Sequence, residues 1–99
     1  MAKGGYVYIV SNRTRTVLYT GVTSDLYSRI YEHKNGQGSV FTKEYNCTDL
    51  LYFEFHADIE SAIHREKRIK KYKRESKCNL IKENNPHLKD LFNEVSEMR

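Results

Sequence analysis

Ninety-nine residues, 38% of them hydrophobic and 30% charged, make one folded domain with a single modest core, and exclude both a disordered tail and a catalytic domain joined to a separate targeting domain. A formal net charge of +4 and a pI near 9.1 favour a polyanionic partner, nucleic acid first, without identifying it. No apolar run approaches the ~18 residues of a membrane span, and the start Met-Ala-Lys-Gly-Gly lacks the apolar stretch of a secretory signal, so a cytoplasmic address with no membrane partner is expected.

From Tyr6 to Val10 the run Tyr-Val-Tyr-Ile-Val is aromatic and β-branched. It predicts a strand covered on both faces, with Tyr6, Tyr8 and Val10 on one of them. The polar stretch 11–15 supplies a turn, and Thr16 to Thr20 reads as a second strand, hairpin-paired with the first and ended by Gly21. Ser24 and Asp25 are N-cap residues for a helix running to about Lys34, where Asn35-Gly36 stops it. Leu26, Arg29, Ile30 and His33 share one face of that helix. Residues 35–49 show no period and are expected to be mostly loop. Leu50 to Phe55 is the third strand, with Leu51, Phe53 and Phe55 on one side.

Asp58 caps a second helix, about Ile59 to Arg74, whose apolar stripe is Ile59, Ala62, Ile63 and Ile69. A shorter helix over 77–83 is interrupted by Asn84-Asn85-Pro86, and Leu88, Leu91, Phe92 and Val95 suggest a last one. The order β-β-α-β-α-α predicts an α+β fold: a small three-stranded antiparallel sheet flanked by helices. Residues 1–99 are expected to form one domain, with a core of about 5–75 and a C-terminal helical tail of about 76–95. Cys47 and Cys78 have no metal-ligand spacing and are expected to be free thiols.

Some residues stand where packing alone would prefer others. Glu66 lies in the apolar stripe of its helix, where a carboxylate is costly unless it is paired or binds a metal, and many Lys and Arg side chains lie near enough to pair it. Arg29 and His33, one turn apart, form either a site or a solvated rim. Tyr8 and Tyr19, taken singly, are ordinary core residues of strands.

As an ordered set these residues resemble the GIY-YIG nuclease family. Tyr6-Val7-Tyr8 looks like the GIY tripeptide on the first strand, and Tyr19-Thr20-Gly21 like the YIG tripeptide on the second. Arg29 followed by His33 matches the family's helical Arg and His, and Arg65-Glu66-Lys67-Arg68-Ile69-Lys70-Lys71 resembles its glutamate helix. The likeness runs from about Tyr6 to Tyr72 and extends to the tail Asn84 to Leu91, as in short stand-alone bacterial members. It is also similar to the catalytic domain of excision-repair incision subunits and of homing endonucleases. Two positions depart: Tyr6 replaces the Gly of GIY and Thr20 the Ile of YIG, and neither substitution removes a reacting group.

The resemblance implies a metal-dependent endonuclease acting on DNA in repair or recombination, with RNA as the other substrate class left open. The alternative is a non-catalytic nucleic-acid-binding module of the same fold. In the catalytic reading Tyr8, Tyr19, Arg29, His33 and Glu66 form the site, and Glu66 is the protein's ligand to one Mg²⁺ or Mn²⁺ ion, with water and phosphate oxygens completing the shell. Arg29 suits a charge-assisted grip on a phosphoryl oxygen. Tyr8 is the general base of related nucleases, with Tyr19 beside it; His33, whose ordinary pKa is near ~6.5, is the other candidate. Eight of the 17 Lys and Arg residues lie between Arg65 and Lys77. Arg65, Lys67, Arg68, Lys70, Lys71, Lys73 and Arg74 form either a phosphate-tracking rail or a solvated basic face. Relatives borrow specificity from appended zinc fingers, helix-turn-helix units or repair-complex partners, so a partner protein for targeting is allowed for; oligomeric state is left open.

Overall fold

The computed structural model describes residues 4–98. In chain order it comprises β1 (Gly5–Ser11), β2 (Leu18–Thr23), α1 (Leu26–Lys34), α2 (Val40–Glu44), β3 (Asp49–His56), α3 (Ile59–Lys70), α4 (Arg74–Asn84) and α5 (Phe92–Glu97). The strands form one three-stranded antiparallel sheet, as the sequence predicts, and their order is β2-β1-β3.

Helices cover both faces because β1 is apolar on both. Val7 and Ile9 pack with Leu51 and Tyr52 of β3, Ala62 and Ile69 of α3, and Ile81 of α4. Tyr8 and Val10 pack on the other face with Leu26 and Ile30 of α1, Cys47, Leu50 and Val95 of α5. Residues beyond 75 therefore feed both clusters. Three helices start on short polar side chains that accept from backbone N–H groups left open by the first turn: Asp25 from Ser28, Ser39 from Thr42 and Asp58 from Ser61.

Four local expectations give way. Strand β2 starts two residues and ends three residues later than expected, so Gly21 lies inside it and pairs with Tyr8. In β3 the register shifts, Ile9 facing Tyr52 and Val10 facing Leu50, so Leu51 is the extra residue of a bulge. Leu51 then shares its cluster with Tyr52, while Phe53 packs with Leu50 on the opposite face. The predicted common face of Leu51 and Phe53 assumed unbroken alternation.

The second helix ends at Lys70, four residues earlier than expected, and the next begins at Arg74, three residues earlier than expected. Lys73 takes an extended backbone at φ −65°, ψ 156° between α3 and α4. In an unbroken helix Ile81, twelve positions after Ile69, would point about 120° away from it; the break returns Ile81 to the same cluster. Lastly, the segment expected to be loop contains α2, whose five residues are too few to show a period.

The C-terminal segment is tied down by polar contacts. Asp90 Oδ1 accepts from Leu50 N–H at 3.0 Å, Leu91 N–H donates to the Leu50 carbonyl at 2.7 Å, and Asp90 Oδ2 pairs with Lys34 Nζ at 2.5 Å. Arg15 bridges Asp49 at 2.7 Å and the Leu88 carbonyl.

Candidate active site

Tyr8 stands at the middle of β1, the central strand, and its register partner Gly21 leaves space for its ring. A Cβ at Gly21 would overlap the Tyr8 ring and hydroxyl, so the glycine of Tyr19-Thr20-Gly21 is required here by close approach. From α1, His33 reaches the same point: Tyr8 Oη lies 3.0 Å from His33 Nε2. His33 Nδ1 in turn lies 3.1 Å from Thr42 Oγ1 on α2, and Thr42 Oγ1 donates to the Ser39 carbonyl at 3.1 Å.

With the Thr42 hydroxyl proton on the Ser39 carbonyl, Oγ1 is left to accept from His33 Nδ1–H, and Ser39 Oγ is a further neighbour of that oxygen at 3.2 Å. The other ring nitrogen is then bare and accepts from the Tyr8 hydroxyl. A Cβ at Gly38 would collide with both His33 Nδ1 and Thr42 Oγ1. Gly38 is thus the space in which this hydrogen bond forms.

Tyr8, Tyr19, Arg29 and His33 line one open cleft of about 210 Å³, together with Glu32, Gln37, Gly38 and Ser39. Tyr19 sets its ring edge-on to His33, centroids 6.1 Å apart. Arg29 has a side chain 41% exposed, with Nε 3.3 Å from Glu32 Oε1. Burial pushes the Tyr8 hydroxyl up to about 12; the Arg29 guanidinium opposes this by hydrogen bonding and charge, while Tyr19 and Glu66 add to it. Burial first, and then the Arg29 charge, hold His33 below its ordinary 6.5, against a smaller opposing effect of Glu32. Tyr8 is therefore a neutral phenol and His33 a neutral imidazole near pH 7.

Glu66 comes from the opposite layer and does not line the cleft. It is buried with Ala62 and Ile69 on the inner face of α3, and its charge is felt at Tyr8. Its Oε2 is 2.8 Å from Lys70 Nζ, one turn on, so the pairing left open by the sequence is present. Among the described residues no three His, Cys, Asp or Glu side chains converge. A cation held by Glu66 would therefore complete its shell with water and phosphate oxygens, a donor set that Mg²⁺ accepts. Lys70, 49% exposed on its side chain, is free to swing outward. The residues fit a single hard divalent ion.

The basic run divides by partner. Arg65 Nε contacts both Glu54 oxygens, at 3.2 and 3.1 Å, and its Nη1 reaches Tyr72 Oη. Arg74 donates to the carbonyls of Thr16 and Arg15, holding the β1–β2 turn. Lys70 is on Glu66. Lys67, Arg68, Lys71 and Lys73 are exposed. Sequence reasoning missed Thr42 and Gly38; the only signal available was the cap pattern Ser39-x-x-Thr42, obscured because residues 35–49 carry no period.

Comparison with known proteins follows this geometry. Residues 4–79 match the model of the GIY-YIG catalytic domain. The chain is 40% identical over 78 residues to a UPF0213 protein of Staphylococcus saprophyticus, covering 79% of this chain and 94% of that one. A UPF0213 protein of Staphylococcus aureus matches to the same extent. The solution NMR structure of a UPF0213 protein of Bacillus halodurans superposes with a TM-score of 0.53 at 28% identity, covering 83% of this chain and 86% of that one.

Proposed function

The chain belongs to the GIY-YIG catalytic-domain family, a family of nuclease domains, and from that premise we propose that it is a divalent-metal-dependent endonuclease that hydrolyses DNA phosphodiester bonds in repair or recombination. The observation that carries this reading is the directed hydrogen-bond run from Tyr8 through His33 to Thr42, opening on a cleft that also holds Arg29. A structural tyrosine needs one partner; a run with one proton direction and a bare imidazole nitrogen at its inner end suits proton removal.

In this reading Arg29 binds a non-bridging phosphoryl oxygen through its fork of donors, exchanging Glu32 for the substrate. Glu66 would hold the ion, which when bound neutralises charge on the phosphoryl group and on the departing 3′ oxygen. Burial pushes the Tyr8 hydroxyl up to about 12 and holds His33 below its ordinary value, so both shifts keep the proton on the phenol in the free protein. Tyr8 therefore does not ionise ahead of the reaction.

Its proton passes to His33 Nε2 as Tyr8 Oη takes one from the attacking water. The water oxygen bonds to phosphorus, the bond to the 3′ oxygen breaks, and that oxygen leaves to be protonated by solvent. Tyr8 is the carrier and His33 the final acceptor. Tyr19 walls the cleft beside them. Lys67, Arg68, Lys71 and Lys73 follow the phosphate backbone, and Lys70 joins them when it leaves Glu66; Arg65 and Arg74 hold the surface that carries them. A DNA substrate gives the protein a cytoplasmic place of work, and one domain spanning residues 1–99 reads backbone and shape rather than base edges, with any targeting left to a partner protein.

The test is incubation of supercoiled, nicked, branched and single-stranded DNA with the protein and Mg²⁺ or Mn²⁺, beside Glu66→Gln and Arg29→Ala. Cleavage by the parent chain, lost in both variants, is expected. Binding without cleavage across the panel would replace the nuclease by a non-catalytic binding module.

A further inference from the structure

Helix α2 is inside out. A short surface helix ordinarily turns its apolar side chains inward, yet the one buried residue of Val40-Phe41-Thr42-Lys43-Glu44 is the hydroxyl-bearing Thr42. Val40 is 83% exposed and Phe41 41% exposed, and Tyr45, which caps the helix, is 45% exposed. Packing of the free protein does not call for this arrangement. The rings also touch in series: Tyr19 stacks on Phe41 with centroids 5.7 Å apart and planes inclined by 28°, and Phe41 meets Tyr45 at 4.7 Å with planes tilted by 42°. Since Tyr19 edges onto His33, one row of rings runs from the inner wall of the cleft to open solvent.

We propose that Phe41 and Tyr45 form a stacking ledge for an unpaired nucleobase of the strand whose phosphate lies in the cleft. The ledge shares Tyr19 with the cleft, so a strand entering one must pass the other, and the exposed Lys43 between Phe41 and Tyr45 supplies charge for the flanking phosphate. Within a duplex both faces of a base are covered by its neighbours; a protein ring can stack only on a nucleotide that is single-stranded, terminal or extruded. The substrate class that follows is nucleic acid with single-stranded character beside the cut. This rests on the nuclease reading above and deepens it.

The test uses the full chain carrying Glu66→Gln, so that substrate survives, and fluorescence anisotropy of a labelled single-stranded oligonucleotide and its duplex. Phe41→Ala should weaken single-strand binding roughly tenfold, the usual worth of one stacked base, and leave duplex binding unchanged. Phe41→Leu keeps apolar bulk without a ring face and should behave like Phe41→Ala; Phe41→Trp should restore binding. A 2-aminopurine in the single strand should be quenched by the parent and by Phe41→Trp alone. Equal loss on both DNA forms, no loss on either, or full binding by Phe41→Leu would overturn the ledge while leaving the nuclease reading standing. A dimer in sedimentation that Phe41→Ala dissociates would assign the ledge to a second copy and overturn the proposal. Failure of the parent to bind any DNA would remove the nuclease reading and the ledge with it.

Discussion

Thr42→Val is the substitution that most directly probes how the cleft handles protons. Valine has nearly the shape of threonine, so helix α2 and its cap from Ser39 to the residue-42 N–H survive. What is lost is the acceptor for His33 Nδ1–H, 3.1 Å away in a buried setting. Leaving that donor without a partner costs about 1–3 kcal/mol, and the imidazole escapes the cost by moving its proton to Nε2. From there it donates to Tyr8 Oη and has no lone pair facing it, so the phenol cannot pass its proton inward. We expect single-turnover DNA cleavage to fall roughly ten- to a hundredfold, the same free energy expressed as a rate. Substrate affinity should be unchanged. Long-range ¹H–¹⁵N correlation spectra should show the protonated nitrogen of His33 moving from Nδ1 to Nε2, and Thr42→Ser should restore both rate and tautomer. A Thr42→Val protein that cleaves at the parent rate while His33 stays protonated at Nδ1 would refute the reasoning.

Other outcomes follow from the same structure. Cleavage should depend on neutral His33: its folded pKa lies below 6.5, so the rate, read as a pH profile, should hold through neutrality and fall in acid with a midpoint below 6.5. Its contribution to stability has the same sign, present above the unfolded value and lost as pH falls through the folded one. Removing the Arg29 charge by Arg29→Gln should move the His33 titration, followed by NMR, toward higher pH. Thr20 Oγ1 is the buried side-chain oxygen among the described residues that has no hydrogen-bond partner, so Thr20→Val should raise stability in urea by about 1 kcal/mol; a loss would count against it. Asp90→Ala strands the Leu50 N–H and should cost about 1–3 kcal/mol in the same assay.

Much of the fold was legible because β1 announces itself twice, as a β-branched run and as a strand apolar on both faces, and because Asp25 and Asp58 mark helix starts by a local hydrogen bond. The paired faces of Tyr8 with Val10 and of Leu26 with Ile30 and His33 follow from periodicity alone. What was not legible depended on partners far along the chain. The bulge at Leu51 is set by pairing with β1, and the position of the break between α3 and α4, a few residues earlier than expected, by the need to return Ile81 to the core. Of the candidate site, Glu66 was visible as a charge in an apolar stripe. Thr42 was not, because its worth lies in where its one proton goes, a property of three groups brought together only by folding.

Glu66 belongs to the helix layer over Val7 and Ile9, and Tyr8, Arg29 and His33 to the opposite one. On the proposed reading the sheet lies between the carboxylate that would hold the ion and the groups that would handle the proton. A change in the packing of α3 would then reach the relay as well, through the Glu66 charge felt at Tyr8. Two properties of the proposed reaction would thus be set in separate layers and coupled by charge across the sheet.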